Sequence, residues 1–350
     1  MFTQTRIAAG VILVIIIAGL LSFTGCDDRN EAELPKDVFT HQATYTAGSV
    51  IKHVAVDGNY AAIAASVSGT RVLDVSDVDA ITEVFAYETP NFVGSQWVGI
   101  SSGLGMVSTF LNSSDPYFGI SAVFNFLNGD TIGGMGFTGP LADLALIPGT
   151  ESSVQSFYLW ATDRAGDDGL VGTRYCYNEE QAKWTTVGCP FVPPTYTPAR
   201  DNARGFGIKD NLFAIAIDED GIHIEEPLTN TRVSNLYTPG IAYDCAWYGD
   251  YIVVADRYFV TMVNAANVDT PVVVTSLIID GADRLNSVEV SGSYAALMDE
   301  YDGVYIIDLS EPADPKMVQQ IKLNEPTSIA ADGNRLYITD ELAGLLIYTR

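Results

Sequence analysis

One phrase recurs along this chain, and its spacing limits the folds that the chain can adopt. The stretch VSGSYAALMD begins at Val290, and the stretches VDGNYAAIAAS, IKDNLFAIAID, WYGDYIVVAD and ADGNRLYITD share its tight turn followed by an apolar run. The turn residues Asn211, Asp250, Ser293 and Asn334 follow one another at intervals of 39, 43 and 41 residues. Gly, Asn, Asp and Ser accept the backbone angles of hairpin turns. The interval is typical of one four-stranded propeller blade.

Two divergent copies, which begin near Trp97 and Leu144, bring the number of copies to seven. The average interval is then about 45 residues, which is the size of a blade. Within a copy, the second and third strands are nearly continuous apolar runs, as expected for strands covered on both faces. The fourth strand alternates, which predicts that Met317, Ile321 and Leu323 share one face.

The two ends of the repeat region complement each other. The last copy, Thr327 to Tyr348, supplies only three strands, whereas the stretch VFTHQATYT from Val38 to Thr46 has no hairpin of its own. Pairing these segments in one blade would close the ring without an open edge. The sequence therefore predicts an all-β, seven-bladed β-propeller over residues 38–350, closed by its N- and C-terminal strands.

The first residues have the features of a targeting segment. A short positively charged start, the uncharged apolar run Ile7 to Leu21 and small residues before Cys26 are typical of a secretory signal. We predict a signal peptide over residues 1–25 and a polar tether over residues 26–37. The alternative, an uncleaved membrane anchor, is disfavoured because a span needs roughly 20 apolar residues.

Two resemblances sharpen this prediction. The sequence FTGC at Phe23 to Cys26 resembles the lipobox of bacterial lipoproteins, which implies that Cys26 carries lipid and becomes the mature N-terminus. The Asp residues that follow imply retention on the periplasmic side of the inner membrane, with the outer membrane or cell surface as alternatives. The repeats themselves resemble the LVIVD repeat of bacterial and archaeal surface proteins, most closely in copies one, six and seven. That resemblance implies a β-propeller outside the cytoplasm and implies no defined reaction.

The charge of the chain excludes one class of partner. Asp and Glu number 44 against 18 Lys and Arg, which gives a net charge of −26. Such a chain repels DNA, RNA and anionic lipid head groups. The charge is explained either by surface solvation or by cation binding.

An Asp closes the second strand in five copies, and equivalent positions of a propeller lie in a ring on one face. These residues are Asp163, Asp218, Asp256, Asp299 and Asp340. The set predicts either caps for the following turns or a negative funnel that binds a cation such as calcium, or a cationic ligand. Asp74 and Asp308, at the ends of third strands, are predicted to be turn caps on the opposite face.

The cysteines suit an oxidising compartment. Cys176 and Cys189 flank a 12-residue stretch in the third copy, and we predict that they form a disulfide, with metal ligation as the alternative. Cys245 is predicted to be a buried structural residue. Aromatic residues are concentrated in the same copy, where they form either a partner surface or local packing: Trp160, Tyr175, Tyr177, Trp184, Phe191 and Tyr196.

These observations favour binding over catalysis. No nucleotide loop, zinc-ligand spacing or nucleophile motif is present in the sequence. The favoured function is a lipid-anchored scaffold that recognises an envelope protein, a glycan or a small ligand through loops on one face. The alternative is a calcium-dependent hydrolase whose site lies at the mouth of the central channel. The fold by itself argues for no reaction.

Overall fold

The predicted strands form seven antiparallel sheets, each of four strands. The computed structural model describes residues 37–88, 92–101, 105–112, 119–137, 141–148, 156–163, 170–178, 183–185, 202–226, 228–229 and 231–350. We number the sheets as blades 1 to 7 in chain order. Within each blade the strands follow one another from the first, innermost strand to the fourth, outermost strand.

Blades 1 to 3 contain the strands β2 (His53–Asp57), β3 (Tyr60–Ala64), β4 (Thr70–Asp74), β5 (Thr82–Tyr87); β6 (Phe92–Ser101), β7 (Gly105–Asn112), β8 (Gly119–Asn125), β9 (Asp130–Phe137); and β10 (Leu141–Pro148), β11 (Ser156–Asp163), β12 (Leu170–Asn178), β13 (Lys183–Thr185).

Blades 4 to 6 contain β14 (Phe206–Lys209), β15 (Leu212–Ala216), β16 (Ile222–Glu226), β17 (Thr231–Leu236); β18 (Asp244–Tyr248), β19 (Tyr251–Asp256), β20 (Phe259–Asn264), β21 (Val272–Ile278); and β22 (Leu285–Ser291), β23 (Tyr294–Asp299), β24 (Gly303–Asp308), β25 (Lys316–Ile321). Blade 7 joins β26 (Pro326–Asp332), β27 (Arg335–Asp340) and β28 (Gly344–Thr349) to β1 (Thr40–Tyr45).

Each second strand is buried because its two faces belong to two different seams between blades. In β23, Ala295 and Leu297 pack in the seam with blade 5, whereas Ala296 and Met298 pack in the seam with blade 7. This is the period of two that a strand imposes on its side chains. The described residues form an apolar cluster at every one of the seven seams, so the ring is closed.

The N-terminal strand completes the last blade, as the sequence predicts. Strand β1 pairs antiparallel with β28, from Thr40 opposite Thr349 to Tyr45 opposite Leu345. Phe39, 1% exposed, packs in the seam between blades 6 and 7. Its backbone N–H donates to Gln319 Oε1 at 2.8 Å, and its carbonyl accepts from Gln319 Nε2 at 2.8 Å. The start of the propeller is thus clamped to the neighbouring blade as well as to its own.

One expectation about the outer strands is wrong. Met317 is 48% exposed whereas Ile321 is 6% exposed, although the alternation places them on the same face. The cause is a β-bulge, because Met317 lies opposite Ile307 but Gln319 lies opposite Ile306. The same shift in register occurs between the paired third and fourth strands of blades 1, 2, 4 and 5.

Two faces of the ring follow from the antiparallel order. The loop face carries the turns between second and third strands together with the connections between blades, and the opposite face carries the remaining turns. On the opposite face, Asp74 accepts from Ser76 N and Asp308 accepts from Ser310 N, each at 2.9 Å or less, so both are turn caps as predicted.

The predicted signal peptide and tether lie outside the described residues and stay predictions. The residues from Asp37 onward form one compact unit. In the described part of the chain, no helix has the length and apolarity needed to cross a membrane.

Truncation of the clamp residue tests the closure of the ring. We expect Phe39→Ala to lower the free energy of unfolding by about 3–5 kcal/mol, because it removes a buried aromatic ring from the seam between blades 6 and 7. Urea unfolding followed by tryptophan fluorescence measures the change, with Thr40→Ala, on the same segment, as the exposed control. Equal stability of both variants would contradict closure through this segment.

Candidate functional site

The seven innermost strands surround one central channel. The channel encloses a cavity of about 870 Å³, lined by residues of β2, β6, β10, β14, β18, β22 and β26. Each of these strands begins at the loop face, so its first residues form the channel mouth there. Equivalent positions of the seven strands therefore lie at the same level of the channel.

One position near the start of each first strand connects a blade to the next; we call it the anchor position. It precedes the first deeply buried apolar residue of the strand. The residues at the anchor position are His53, Trp97, Asp143, Gly205, Asp244, Ser287 and Ser328. Four of these seven side chains accept a hydrogen bond from a backbone N–H of the next blade. Ser328 accepts from Val54 N at 3.3 Å, and His53 Nδ1 accepts from Val98 N at 3.5 Å.

Two anchor positions carry partly buried carboxylates. Asp143 accepts from Phe206 N of blade 4 at 3.1 Å and from Leu144 N at 2.7 Å. Asp244 accepts from Val288 N of blade 6 at 2.8 Å and from Cys245 N at 2.8 Å. A Ser287 hydroxyl adds a third bond to Asp244 at 3.1 Å. Each carboxylate thus joins its own blade to the following one.

Gly205 separates these two acids around the ring, and its lack of a side chain has a direct consequence. A Cβ atom built at Gly205 would lie 2.0 Å from Asp244 Oδ1. No other residue therefore fits there without displacing the carboxylate. The Asp244 carboxylate therefore occupies the space that a side chain at position 205 would take.

Two residues further from the loop face, the channel is lined by a ring of mostly small side chains. The residues at this level are Ala55, Gly99, Ala145, Gly207, Ala246, Glu289 and Ala330. Glu289 is the one long side chain in this ring. Its pKa is raised well above its usual range by burial first, and then by the charges of Asp244 and Asp143.

The same causes act on the anchor carboxylates. Burial, opposed by its backbone hydrogen bonds, raises the pKa of Asp143 to about 6. Burial and the neighbouring Asp143 raise the pKa of Asp244 to about 8. Burial lowers the pKa of His53 to about 4, so the imidazole is neutral at pH 7 and accepts through Nδ1. Ionisation of both anchor acids would place like charges close together at the channel mouth, at a cost in stability.

Ion pairs surround this mouth at the loop face. Arg204 binds Asp218 through both Nε and Nη2, at 2.7 and 3.0 Å, and its guanidinium lies 5.1 Å from the centre of the Tyr243 ring. Arg284 pairs with Glu300 at 2.6 Å. Lys52 pairs with Glu341. Each pair links the start of a first strand to a turn that follows a second strand, which fixes the turns relative to the channel.

Three of the five aspartates predicted as a ring accept hydrogen bonds from neighbouring backbone N–H groups. Asp256, Asp299 and Asp340 are at most 2% exposed. Asp299 accepts from the N–H groups of Asp283, Arg284, Tyr301 and Asp302.

Asp340 accepts from Glu325, Leu342 and Ala343 N, and Asp256 accepts from Gly240 N and from the Thr238 and Thr261 hydroxyls. Asp299 and Asp340 accept from the N–H groups two and three residues on, as turn caps do. Asp256 instead joins the preceding connection between blades to the third strand of its own blade.

Asp218 departs from the expected equivalence. Its backbone bridges Ala242 with a φ of 39°, as Arg257 bridges Leu285 with a φ of 62°, so it stands one position beyond Asp256 in the turn. The side chain of Asp163 is outside the described residues. Among the residues that are described, no group of three His, Cys, Asp or Glu side chains is placed to hold a metal ion. Cation binding by the five aspartates stays a prediction.

Of the two predictions about cysteines, one is confirmed and the other stays a prediction. Cys245 is 2% exposed, and its thiol donates to the Ala214 carbonyl at 3.1 Å, which confirms a structural role. Cys176 is buried on β12, whereas Cys189 lies outside the described residues, so the disulfide stays a prediction. Of the aromatic residues in the third copy, Trp160 and Tyr175 are buried in the seams of blade 3, which corresponds to local packing.

The channel acids were not singled out by sequence reasoning. A signal for them exists, since Asp143, Asp244 and Glu289 interrupt first strands that are otherwise apolar or small. It becomes visible only when the seven first strands are aligned at the anchor position, and that alignment depends on the hydrogen bonds between blades.

The raised pKa values of the anchor acids predict how stability depends on pH. A folded-state pKa above the unfolded value of 3.8 means that the contribution of the group is greatest below about pH 4 and is lost as the pH rises through about 6 for Asp143 and about 8 for Asp244. We expect Asp244→Asn, which cannot ionise, to reduce the loss of unfolding free energy between pH 5 and pH 8 by about 2 kcal/mol. Urea unfolding at three pH values gives this slope.

The matched control is Asp314→Asn, at a carboxylate whose side chain is 75% exposed. Only the slope is compared, because the absolute stability of the Asp244 variant also reflects altered hydrogen bonds. If wild type and Asp244→Asn lose equal free energy over this range, the anchor acid does not ionise against a penalty.

Comparisons with known proteins agree with this architecture. The family model described as LVIVD repeat matches residues 48–89 and 284–322, which are copies one and six. The seventh copy, expected to match as well, lies outside the matched ranges. A search of curated proteins gave no significant match.

Solved structures share the fold at low sequence identity. The C-terminal WD40 domain of Sif2 superposes with a TM-score of 0.63 at 13% identity, covering 89% of this chain and 98% of that chain. The WD40 β-propeller domain of Doa1 gives 0.61 at 11% identity, covering 89% and 97%. A chain of the mitotic checkpoint complex gives 0.64 at 11% identity, covering 99% of both chains. At these identities the likeness shows the fold alone, and the matched ranges show that this β-propeller contains two LVIVD repeats.

Proposed function

We propose that this protein is a recognition scaffold that binds a partner protein through the loop face, and that lipid on Cys26 holds it outside the cytoplasm. The observation that carries the proposal is the distribution of exposed large apolar side chains. Those on the loop face are Val67, Tyr237, Tyr258, Ile278, Tyr301 and Leu342. Among the described residues they occupy blades 4 to 7 and blade 1, whereas the loop-face turns of blades 2 and 3 lie outside the described part of the chain.

This arc differs from scattered surface apolar residues. Single exposed apolar side chains are common on any protein, whereas an apolar set on one face is typical of an interaction site. Val67, Tyr258, Tyr301 and Leu342 each lie in the turn after a second strand, and their exposed fractions reach 78% at Val67. Tyrosine is also enriched at the centres of protein interfaces.

The turns that present this arc are held rigidly. The caps at Asp299 and Asp340, with the Arg284–Glu300 and Lys52–Glu341 pairs, anchor the turns of blades 6 and 7. A surface that is ordered before binding loses little conformational entropy when a partner arrives. A rigid arc of tyrosine and aliphatic tips therefore suits recognition without a covalent step.

Site-specific photo-crosslinking tests the assignment of the face. A benzophenone amino acid placed at Tyr258 or Leu342 in cells that naturally produce the chain is expected to trap one discrete protein partner. The same amino acid at Leu127 or Met317 is the matched control. Leu127 is 58% exposed in a turn of the opposite face, and Met317 is 48% exposed at the end of β25 that is nearest to that face. Trapping of the same partner with equal yield from the control positions would refute the loop-face proposal, and a trapped glycan would change the partner class.

The anchoring proposal has its own test. We expect Cys26→Ser to move the protein from the detergent-rich to the aqueous phase after phase separation of a cell extract, because no lipid can be attached to serine by this route. Arg29→Gln, in the predicted tether, serves as the control and is expected to stay with the detergent. Retention of the serine variant in the detergent phase would argue for an uncleaved apolar anchor instead.

A further inference from the structure

A second cavity opens beside the apolar arc, at blade 6. Its volume is about 380 Å³. The segment after β21 contributes Asp280 and Gly281, the turn after β23 contributes Tyr301 and Asp302, and Tyr305 of β24 lies behind them. The end of β25 and the residues that follow it complete the wall with Gln320, Lys322, Leu323 and Asn324.

The tyrosine behind the cavity is mostly buried, and its hydroxyl reaches the cavity without a hydrogen bond to a described residue. Tyr305 is 2% exposed and packs in the seam between blades 5 and 6, yet its hydroxyl has no partner among the described residues. Buried tyrosine hydroxyls normally find a partner. Gly281, with a φ of 90°, stands over this hydroxyl, and a Cβ atom there would lie 3.6 Å from it. Both residues line the cavity, so a hydrogen-bond partner for the hydroxyl can come from there.

The charge around this hydroxyl is negative. Asp280 and Asp302 line the cavity, and neither carboxylate has an ion-pair partner in the described part of the chain. Burial, followed by the charges of Asp302, Asp299 and Asp283, raises the pKa of Tyr305 to about 12. The phenol therefore stays protonated at neutral pH, and its oxygen can accept a hydrogen bond while the carboxylates supply the charge.

We propose that this cavity binds the cationic head of a lysine or arginine side chain from the partner protein. Ammonium and guanidinium groups carry only donors, and the cavity offers carboxylate oxygens with the unpartnered Tyr305 hydroxyl as acceptors. Tyr301, 56% exposed at the rim, offers a ring face on which a cation can rest. This inference rests on the proposed function, since it assigns the partner a basic residue next to the apolar arc.

Lys322 is the cation that the chain itself places at this cavity. It is exposed, it lines the cavity wall, and it makes no ion pair with a described residue. An incoming cation must tolerate or displace it. Removal of its charge is therefore expected to strengthen binding, which is the opposite of the effect of removing a carboxylate.

The test uses the full chain in detergent and three defined probes, measured by ligand-observed NMR titration. Nα-acetyl-lysine methylamide and Nα-acetyl-arginine methylamide are expected to bind, and Nα-acetyl-norleucine methylamide, which has a similar shape and no charge, is not. We expect Asp302→Asn and Tyr305→Phe each to weaken binding about five-fold and Lys322→Gln to strengthen it about five-fold. Lys316→Gln, which removes the same charge at the other end of β25, should change nothing.

Several results would overturn the assignment. Binding of norleucine amide as tightly as lysine amide, or unchanged affinity in Asp302→Asn and Lys322→Gln, would do so. Binding of a free diamine without binding of either capped amino acid would assign the cavity to small amines rather than to a side chain. Loss of these effects while the crosslink from Tyr258 persists would remove the cation site and leave the proposed function standing. Persistence of these effects without a crosslink from Tyr258 would refute the proposed partner and leave the cation site standing.

Discussion

Every feature of this molecule depends on the burial of both faces of each blade against its neighbours. A four-stranded sheet of this composition has two apolar faces and cannot cover either of them by itself. The alternation in β23, with Ala295 and Leu297 in one seam and Ala296 and Met298 in the other, shows how one strand serves two neighbours. The requirement is met everywhere only when the last blade meets the first, which makes Phe39 and β1 as necessary as any internal strand.

The repeat made most of this architecture predictable. Turn chemistry at Asn211, Asp250, Ser293 and Asn334 located the hairpins, and the missing strand of the last copy located its partner in β1. The β-bulge beside Met317 was not predictable, because a bulge changes the register without changing composition. The offset of Asp218 has a similar cause, since a turn can gain one residue while the letters still align.

The candidate sites were harder to predict than the fold for a physical reason. An aspartate that closes a second strand looks the same in the sequence whether it binds a cation or caps a turn, and only the four N–H groups around Asp299 distinguish the two. The channel acids are a converse case. Asp143 and Asp244 gain their character from residues of the next blade, which lie 63 and 44 positions away along the chain, and from the space left by Gly205.

On the loop face, the capping aspartates and the uncapped carboxylates have different roles. The capping aspartates and the ion pairs around the mouth hold the turns, so that the apolar tips are presented without further ordering. The uncapped carboxylates, Asp280 and Asp302, remain available beside those tips. With a net charge of −26, the whole surface attracts basic partners only over the Debye length of about 8 Å at physiological salt. Selection among such partners must therefore come from short-range geometry, and a cavity that combines an exposed ring, two carboxylates and a buried hydroxyl without a partner provides it.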